Sequence, residues 1–279
     1  MIEQVCRKER QYGMKIREIA ETKRKAKEWF ASYTADYDME DPKIALKAVH
    51  TYHVAELCQT IAESLALNEV ECMAAWLSGL LHDVGRFEQI RRFNTFSDAD
   101  SIDHALLSTE ILFGTKEDAS CGRIRQVILD PSWDIYLYKA IKYHSAYRLP
   151  PDLSEMEKTY CQILRDADKI DIFRVNLETP MEDIYNTTTE TLKQAEVTSE
   201  VLQAFKERHA VLRALKKTPV VGHISLYYEL VYPKSRQIAL SQGYLLRLAE
   251  FASENERTRK VFEDIQTQLQ EDIENGSKK

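Results

Sequence analysis

Seven histidines occur in this 279-residue chain, and five of them, His50, His53, His82, His104 and His144, fall on helix positions that read as buried or beside a buried face. Two carboxylates join them: Asp83, directly after His82, and Asp168, inside an apolar surround. A single imidazole on an apolar face is ordinarily a satisfied core residue, and one His–Asp dipeptide carries little information by itself. Four imidazoles (His50, His82, His104, His144) and two carboxylates withdrawn from water are another matter, because each would cost several kcal/mol without a partner. A shared divalent cation satisfies such a set at once, so the chemistry these residue types point to is that of a metal site.

The elements that must position them read as helices. Residues Arg7 to Tyr33 carry Ile16, Ile19, Ala20, Lys23, Ala26 and Phe30 at roughly helical spacing, a narrow amphipathic stripe suited to docking on a core. Asp41 followed by Pro42 is a helix start, a capping side chain before a proline whose missing N–H costs nothing there. Leu46, Val49, His50, Val54, Leu57, Ile61 and Leu65 are predicted to share the inward face of that helix. Asn68 with Glu71 makes a capping signal for CMAAWLSGLLHDVG, apolar on nearly every side and hence a core helix. Gly85 suits a left-handed stop, which puts His82 and Asp83 in the last turn. Residues Arg86 to Ser101 then read as a long polar and aromatic loop.

Helical spacing resumes at His104, Leu107, Ile111 and Leu112, again from Ile135 to His144 after Pro131, and from Tyr160 to Phe173. Beyond Pro180 the chain is polar through Ala214, with His209 on a helix there; His223 follows Gly222 in a turn. Ser225 to Tyr232 fits a strand or a helix, its aromatic density suited to covering a cleft or to a subunit contact, and Ile238 to Phe251 reads as one amphipathic helix. The expected division is an N-terminal helix over 1–40, a core over 41–180, a mostly helical extension of the same domain over 181–270 and a tail over 271–279.

Composition narrows the field. Eight Gly and seven Pro supply too few turns for a many-stranded sandwich or barrel, so the fold class is all-α. With 38 Lys and Arg against 45 Asp and Glu, the net charge of -7 argues against binding nucleic acid through a basic surface, and a polyanionic substrate must be met by local cations or a metal. Five scattered cysteines without a CxxC pair suit a reduced cytoplasmic setting. Neither a signal peptide nor a membrane-spanning apolar run is evident.

The order His50 with Val54, then LLHDVGR at His82 and Asp83, then RDADK at Asp168 resembles the HD-domain superfamily of metal-dependent phosphohydrolases over about Lys43 to Phe173. The resemblance implies a helical bundle with added N- and C-terminal helices. It also implies that His50, His82, Asp83 and Asp168 hold a first metal and that His104, His144 and a bridging Asp83 hold a second, as in the two-metal subgroups. Cyclic-dinucleotide phosphodiesterases of the superfamily share this order, but here Ser145 and AYRLP stand where they carry a second His and a Gly-Tyr-Pro run. The implied reaction is hydrolysis of a phosphate ester or anhydride, of a nucleotide, by metal-activated hydroxide. Alternatives left open are a di-iron oxygenase, as in some relatives, and a regulatory module that binds metal or nucleotide without turnover. The mixed imidazole and carboxylate set favours Mn, Fe, Co, Ni or Zn over Mg.

Asp83 and Arg86 are the expected catalytic residues. Arg86 is also expected to bind substrate phosphate, together with Arg92, Arg148 and Lys169. Glu88 and Gln89 could order a water or face solvent, and Asp98, Asp100 and Asp103 could accept from the ring N–H of His104 or cap its helix. His53 reads as a structural or supporting residue. Cys58 and Cys72 read as small core fillers.

Overall fold

The computed structural model describes residues 2–115, 117–185, 187–210 and 219–276. Helix α1 (Ile2–Thr34) docks through Ala26, Phe30 and Tyr33, all buried, with Ile19 packed beside them; Ala20 is exposed, and the side chain of Ile16 lies outside the described residues. Local capping builds the next two helices. The Asp41 carboxylate accepts from Lys43 N–H at 2.8 Å at the head of α2 (Pro42–Ser64). Asn68 and Glu71 satisfy each other's backbone N–H at the head of α3 (Glu69–Leu81). Every residue of α3 from Cys72 to Leu81 is buried, and α3 packs on α1, on α2 and on α6 (Asp134–Tyr143).

The inward face of α2 is rotated from the expected one. Ile44, Ala48, His50, Thr51, Val54, Ala55, Cys58, Ile61 and Ala62 are buried, Leu46 and Leu57 are only partly so, and Val49 is exposed. The cause is the close approach of α3: a Cβ on Gly79 would lie 2.6 Å from Ala55 Cα, so the seam is made of small residues rather than large aliphatic ones. His53 consequently faces out.

Gly85 is not a left-handed stop. It lies in the first turn of α4 (Val84–Phe93), so half of the expected loop is helix, and α4 ends at Asn94, which takes φ 50°. The helix escaped notice because its buried side chains include Arg86, Glu88 and Gln89, which give no apolar periodicity. A short 3-10 turn over Asp98–Asp100 leads to α5 (His104–Phe113), capped by Asp103, whose carboxylate accepts from Ala105 and Leu106 N–H. Another 3-10 turn, Pro131–Trp133, opens α6. Then α7 (Glu155–Glu178) runs well beyond both ends of the predicted helix.

The chain divides into two compact units, residues 1–165 and 166–279. In the second, α8 (Met181–Tyr185), α9 (Thr189–Gln194), α10 (Ser199–Lys206), α11 (Pro219–Ile224), α12 (Pro233–Ser241), α13 (Tyr244–Ala249) and α14 (Glu256–Gly276) follow one another. Val201 and Phe205, Val221 and Ile224, Leu245 and Leu248, and Phe262, Ile265 and Leu269 form its apolar interior. Asp166 accepts from the backbone N–H groups of Val231 (3.0 Å) and Tyr232 (3.0 Å), tying the chain after α11 back to α7. Burial pushes the Asp166 carboxyl above its usual range, against these hydrogen bonds.

The described residues are predominantly helical, and no strand occurs among them; Ser225–Glu229 is a 3-10 turn, which resolves the strand-or-helix ambiguity against the strand. The predicted helix from Ile238 to Phe251 is two, split at Gly243 with φ 76°, a conformation that suits glycine. His223 lies inside α11 rather than in a turn. Residues 207–210 are a turn rather than a helix, and the rest of the helix predicted there, 211–218, lies outside the described residues. α14 continues to Gly276, through most of the expected tail; residues 277–279 lie outside the described residues. Among the described residues no helix is long and apolar enough to cross a membrane.

Candidate metal centre

Five helices of the first unit bring their ends or faces to one point. His50 comes from the middle of α2, His82 and Asp83 form the turn between α3 and α4, His104 is the first residue of α5, and His144 follows the last turn of α6. All five are buried, none more than 5% exposed. Two of the chain's eight glycines make this convergence possible. Gly79 lets α2 touch α3, and a Cβ on Gly85 would lie 2.5 Å from His104 O and 2.7 Å from Ser108 N, so Gly85 admits the head of α5. Its N–H donates to Ser108 Oγ at 2.9 Å.

Asp83 stands at the N-cap of α4, yet its side chain makes no capping hydrogen bond. The carboxylate instead divides its two oxygens between two pairs of imidazoles. Oδ2 lies 3.8 Å from His50 Nε2 and 3.4 Å from His82 Nε2; Oδ1 lies 3.7 Å from His104 Nε2 and 3.6 Å from His144 Nε2. Lys47, one turn before His50 on α2, donates to Oδ2 at 2.8 Å. Burial would raise the Asp83 carboxyl, but the Lys47 ammonium and His82 outweigh it and hold the group well below its usual value.

The ring nitrogens on the far side are committed. His82 Nδ1–H donates to Gly79 O (2.7 Å), His144 Nδ1–H to Ile141 O (2.6 Å), and His104 Nδ1–H to both oxygens of Asp98 (2.7 and 2.8 Å). With Nδ1–H so committed, each ring turns its Nε2 inward, the atom that carries the lone pair in this tautomer. His104 and His144 aim those lone pairs at each other across 3.0 Å, a contact that needs a cation or an extra proton. The proton is disfavoured, because burial and then the Arg86 cation push the His104 imidazolium down to about 3. Asp83 Oδ1, fully buried, has no hydrogen-bond partner among the described residues. Opposed lone pairs beside an orphaned carboxylate oxygen are the arrangement that a divalent ion satisfies, so these residues fit a metal. The same atoms form two groups of potential ligands, His50 with His82 and Asp83, and Asp83 with His104 and His144.

Residues 48–173 match the family model of the HD domain. That stretch, 126 of the 279 residues, is similar to the HD domain. No curated protein and no solved structure matches it. HD domains are in general metal-dependent phosphohydrolases, and the His/Asp clusters suggest divalent metal binding here.

The HD match takes in α7 as far as Phe173, and with it Asp168 and Lys169, both half-buried and both in the second unit. Asp171, the next acid along α7, is held by both arms of Arg174 at 2.8 Å. Of the cations expected near substrate, Arg86 is buried, with Nη1 donating to Gln89 Oε1 (2.6 Å), Phe96 O (2.7 Å) and Asp98 Oδ1 (2.9 Å). Arg92 reaches Glu88, as does Arg91, and the buried Glu88 also accepts from Tyr37 OH at 3.3 Å. This cluster lines a separate cleft of about 410 Å³ between α1, α4 and α5. Arg148 is exposed, its guanidinium 4.3 Å above the Tyr147 ring.

The three acids before His104 do different things: Asp98 accepts from the ring, Asp103 caps α5, and Asp100 is exposed. His209 is half-buried and pairs with Glu207 at 3.1 Å. Cys58, Cys72 and Cys161 are buried thiols, and Cys121 is an exposed one. Lys47 is the member of the centre that the sequence reading missed. The signal was its place three residues before His50, on the same side of a helix, where a lysine is ordinarily taken for a solvated charge.

Proposed function

We propose that this chain is a divalent-metal-dependent phosphohydrolase that cleaves a phosphate ester or anhydride of a small molecule, with nucleotides as the substrate class to test first. One observation carries the reading: a single buried carboxylate, Asp83, offers one oxygen to each of two imidazole pairs. Bound there, divalent ions supply charge neutralisation at phosphoryl oxygens and a water acidified toward neutrality. His50, His82 and Asp83 would hold one ion, and Asp83, His104 and His144 the other.

The chain's own residues do the rest. The Nε2 atoms of His82, His104 and His144, oriented by their Nδ1–H partners, need no reorganisation to ligate. Burial of the ligands keeps bulk water from competing and strengthens each charge interaction. The Lys47 ammonium donates to Asp83 and has no other hydrogen bond among the described residues, so two of its three donors can meet a phosphoryl oxygen. A net charge of -7 is compatible with an anionic substrate because the positive charge is local. Cys58, Cys72, Cys121 and Cys161 stand as thiols, which supports action in a reducing compartment.

Purified protein loaded with Mn²⁺ is expected to release phosphate from members of a nucleotide and phosphodiester panel and to lose that activity in Asp83→Ala. Failure of the wild type to bind any of Mn²⁺, Fe²⁺, Co²⁺, Ni²⁺ or Zn²⁺ would overturn the reading. Iron retained on purification with oxygen uptake and no phosphate release would replace it with oxidative chemistry.

A further inference from the structure

Arg86, the cation that follows the His–Asp dipeptide, points away from a substrate role and toward a supporting one. Its Nη1 is spent on three acceptors, Gln89 Oε1, Phe96 O and Asp98 Oδ1. Gln89, itself fully buried, donates through Nε2 to Asp98 Oδ1, Ser101 Oγ and Ile102 O, each at 2.9 Å. Asp98 thus receives Arg86 and Gln89 on the same oxygen that shares the His104 Nδ1–H. A carboxyl group accepting from that many donors can do so only as the carboxylate. The Nε of Arg86 meanwhile lies 3.8 Å from Asp83 Oδ1, so one guanidinium stands against both the carboxylate between the imidazole pairs and the carboxylate behind His104.

The imidazoles are not all held alike. His82 and His144 donate their Nδ1–H to neutral backbone carbonyls, whereas His104 donates to a carboxylate. An imidazole backed by a carboxylate is held in one orientation and is a more basic ligand through Nε2.

We propose that Arg86 is a positioning residue that, with Gln89, fixes the Asp98 carboxylate on His104 and thereby sets how tightly the Asp83–His104–His144 half holds its ion. The inference rests on the metal reading above and extends it, assigning the hold on that one ion to a clamp within residues 86–104.

The test is a titration of the metal-stripped full chain with Co²⁺, read by calorimetry and by the visible absorption of each bound cobalt, in wild type, Arg86→Met, Asp98→Asn and the double variant. The expected result is two sites in wild type and a loss of about 10–100-fold in affinity at one of them in either single variant, with the other site unchanged. The double variant should be no weaker than Asp98→Asn alone, because Arg86 acts through Asp98. If Arg86→Met fails to fold by circular dichroism, Arg86→Lys, which keeps the charge but cannot reach three acceptors at once, carries the same expectation at smaller size. Two sites of unchanged affinity in the Arg86 variant, or losses that add in the double variant, would overturn the proposal. So would intact metal binding with weakened binding of inorganic phosphate to the cobalt-loaded Arg86 variant, which is the pattern of a substrate contact. A wild type that takes up no cobalt overturns the metal reading itself and this inference with it.

Discussion

Replacing Gly85 by Ala adds one methyl group at the place where α4 meets the head of α5. The new Cβ would stand 2.5 Å from His104 O, 2.7 Å from Ser108 N and 2.9 Å from Ser108 Oγ, whereas ordinary contact begins at 3.4 Å. The nearest two atoms are backbone, so no side-chain rotation relieves the clash, and α5 must retreat by about 0.9 Å to clear His104 O. Two effects oppose each other. Alanine in a helix gains roughly 0.5–1 kcal/mol over glycine, and overpacking of a close-packed seam costs roughly 1–3 kcal/mol. Overpacking wins, leaving a net loss of about 1–2 kcal/mol, or a fall of several degrees in Tm for a chain of this size. The larger consequence is at the metal centre. His104 opens α5, so its Nε2 moves with the helix, and a ligand displaced by close to 1 Å leaves the narrow range of productive metal–nitrogen distances. Calorimetric titration with Co²⁺ is therefore expected to show at least a tenfold weaker ion on the His104 side and an unchanged one on the His50 side, beside a lowered Tm in differential scanning calorimetry. A Gly85→Ala protein as stable as wild type, holding both ions as tightly, would refute the claim that this contact sets the position of α5.

Other consequences are open to simpler experiments. Lys47→Met leaves the Asp83 carboxylate buried without its ammonium, so the metal-free protein should lose about 3 kcal/mol by chemical denaturation, and saturating Mn²⁺ should restore most of it. An Asp83→Asn change removes the charge shared by both imidazole pairs and should abolish phosphate release and reduce bound metal, measured by elemental analysis, to less than one ion per chain. Cys58, Cys72 and Cys161 should resist iodoacetamide in the folded protein while Cys121 reacts, as followed by peptide mass spectrometry. Burial pushes the Cys161 thiol up to about 12, so raising the pH to 9 should leave it unmodified; its alkylation there without unfolding would contradict its placement.

The parts of this molecule that were legible in the sequence are those governed by near neighbours or by an unusual residue in an apolar setting. Asp41 before Pro42 and Asn68 with Glu71 act within one helical turn, and both caps form as read. His50, His82, Asp83, His104 and His144 stood out because ionisable residues on buried faces demand a common partner, and the fold brings all five together. What escaped depended on distant neighbours. Gly85 reads as a stop because glycine commonly ends helices, but here the reason for glycine is the backbone of His104, nineteen positions away in the chain. The polar helix α4 hid because Arg86, Glu88 and Gln89 are buried in hydrogen-bonded clusters, which periodicity of apolar residues cannot register. The rotation of α2 follows from Gly79 against Ala55, a seam in which small residues matter more than Leu46 and Val49. Lys47 belongs to the same class, since only its distance to Asp83 separates it from the many solvated lysines of the chain.

On the proposed reading Asp83 would hold two cations, one per oxygen. Anomalous X-ray diffraction from crystals grown with Mn²⁺ or Co²⁺ tests it most directly. The account predicts two anomalous peaks flanking the Asp83 carboxylate, one within bonding distance of His50 and His82, the other of His104 and His144. A single peak that leaves either imidazole pair unligated at saturating metal, or peaks that bypass Asp83, would contradict it.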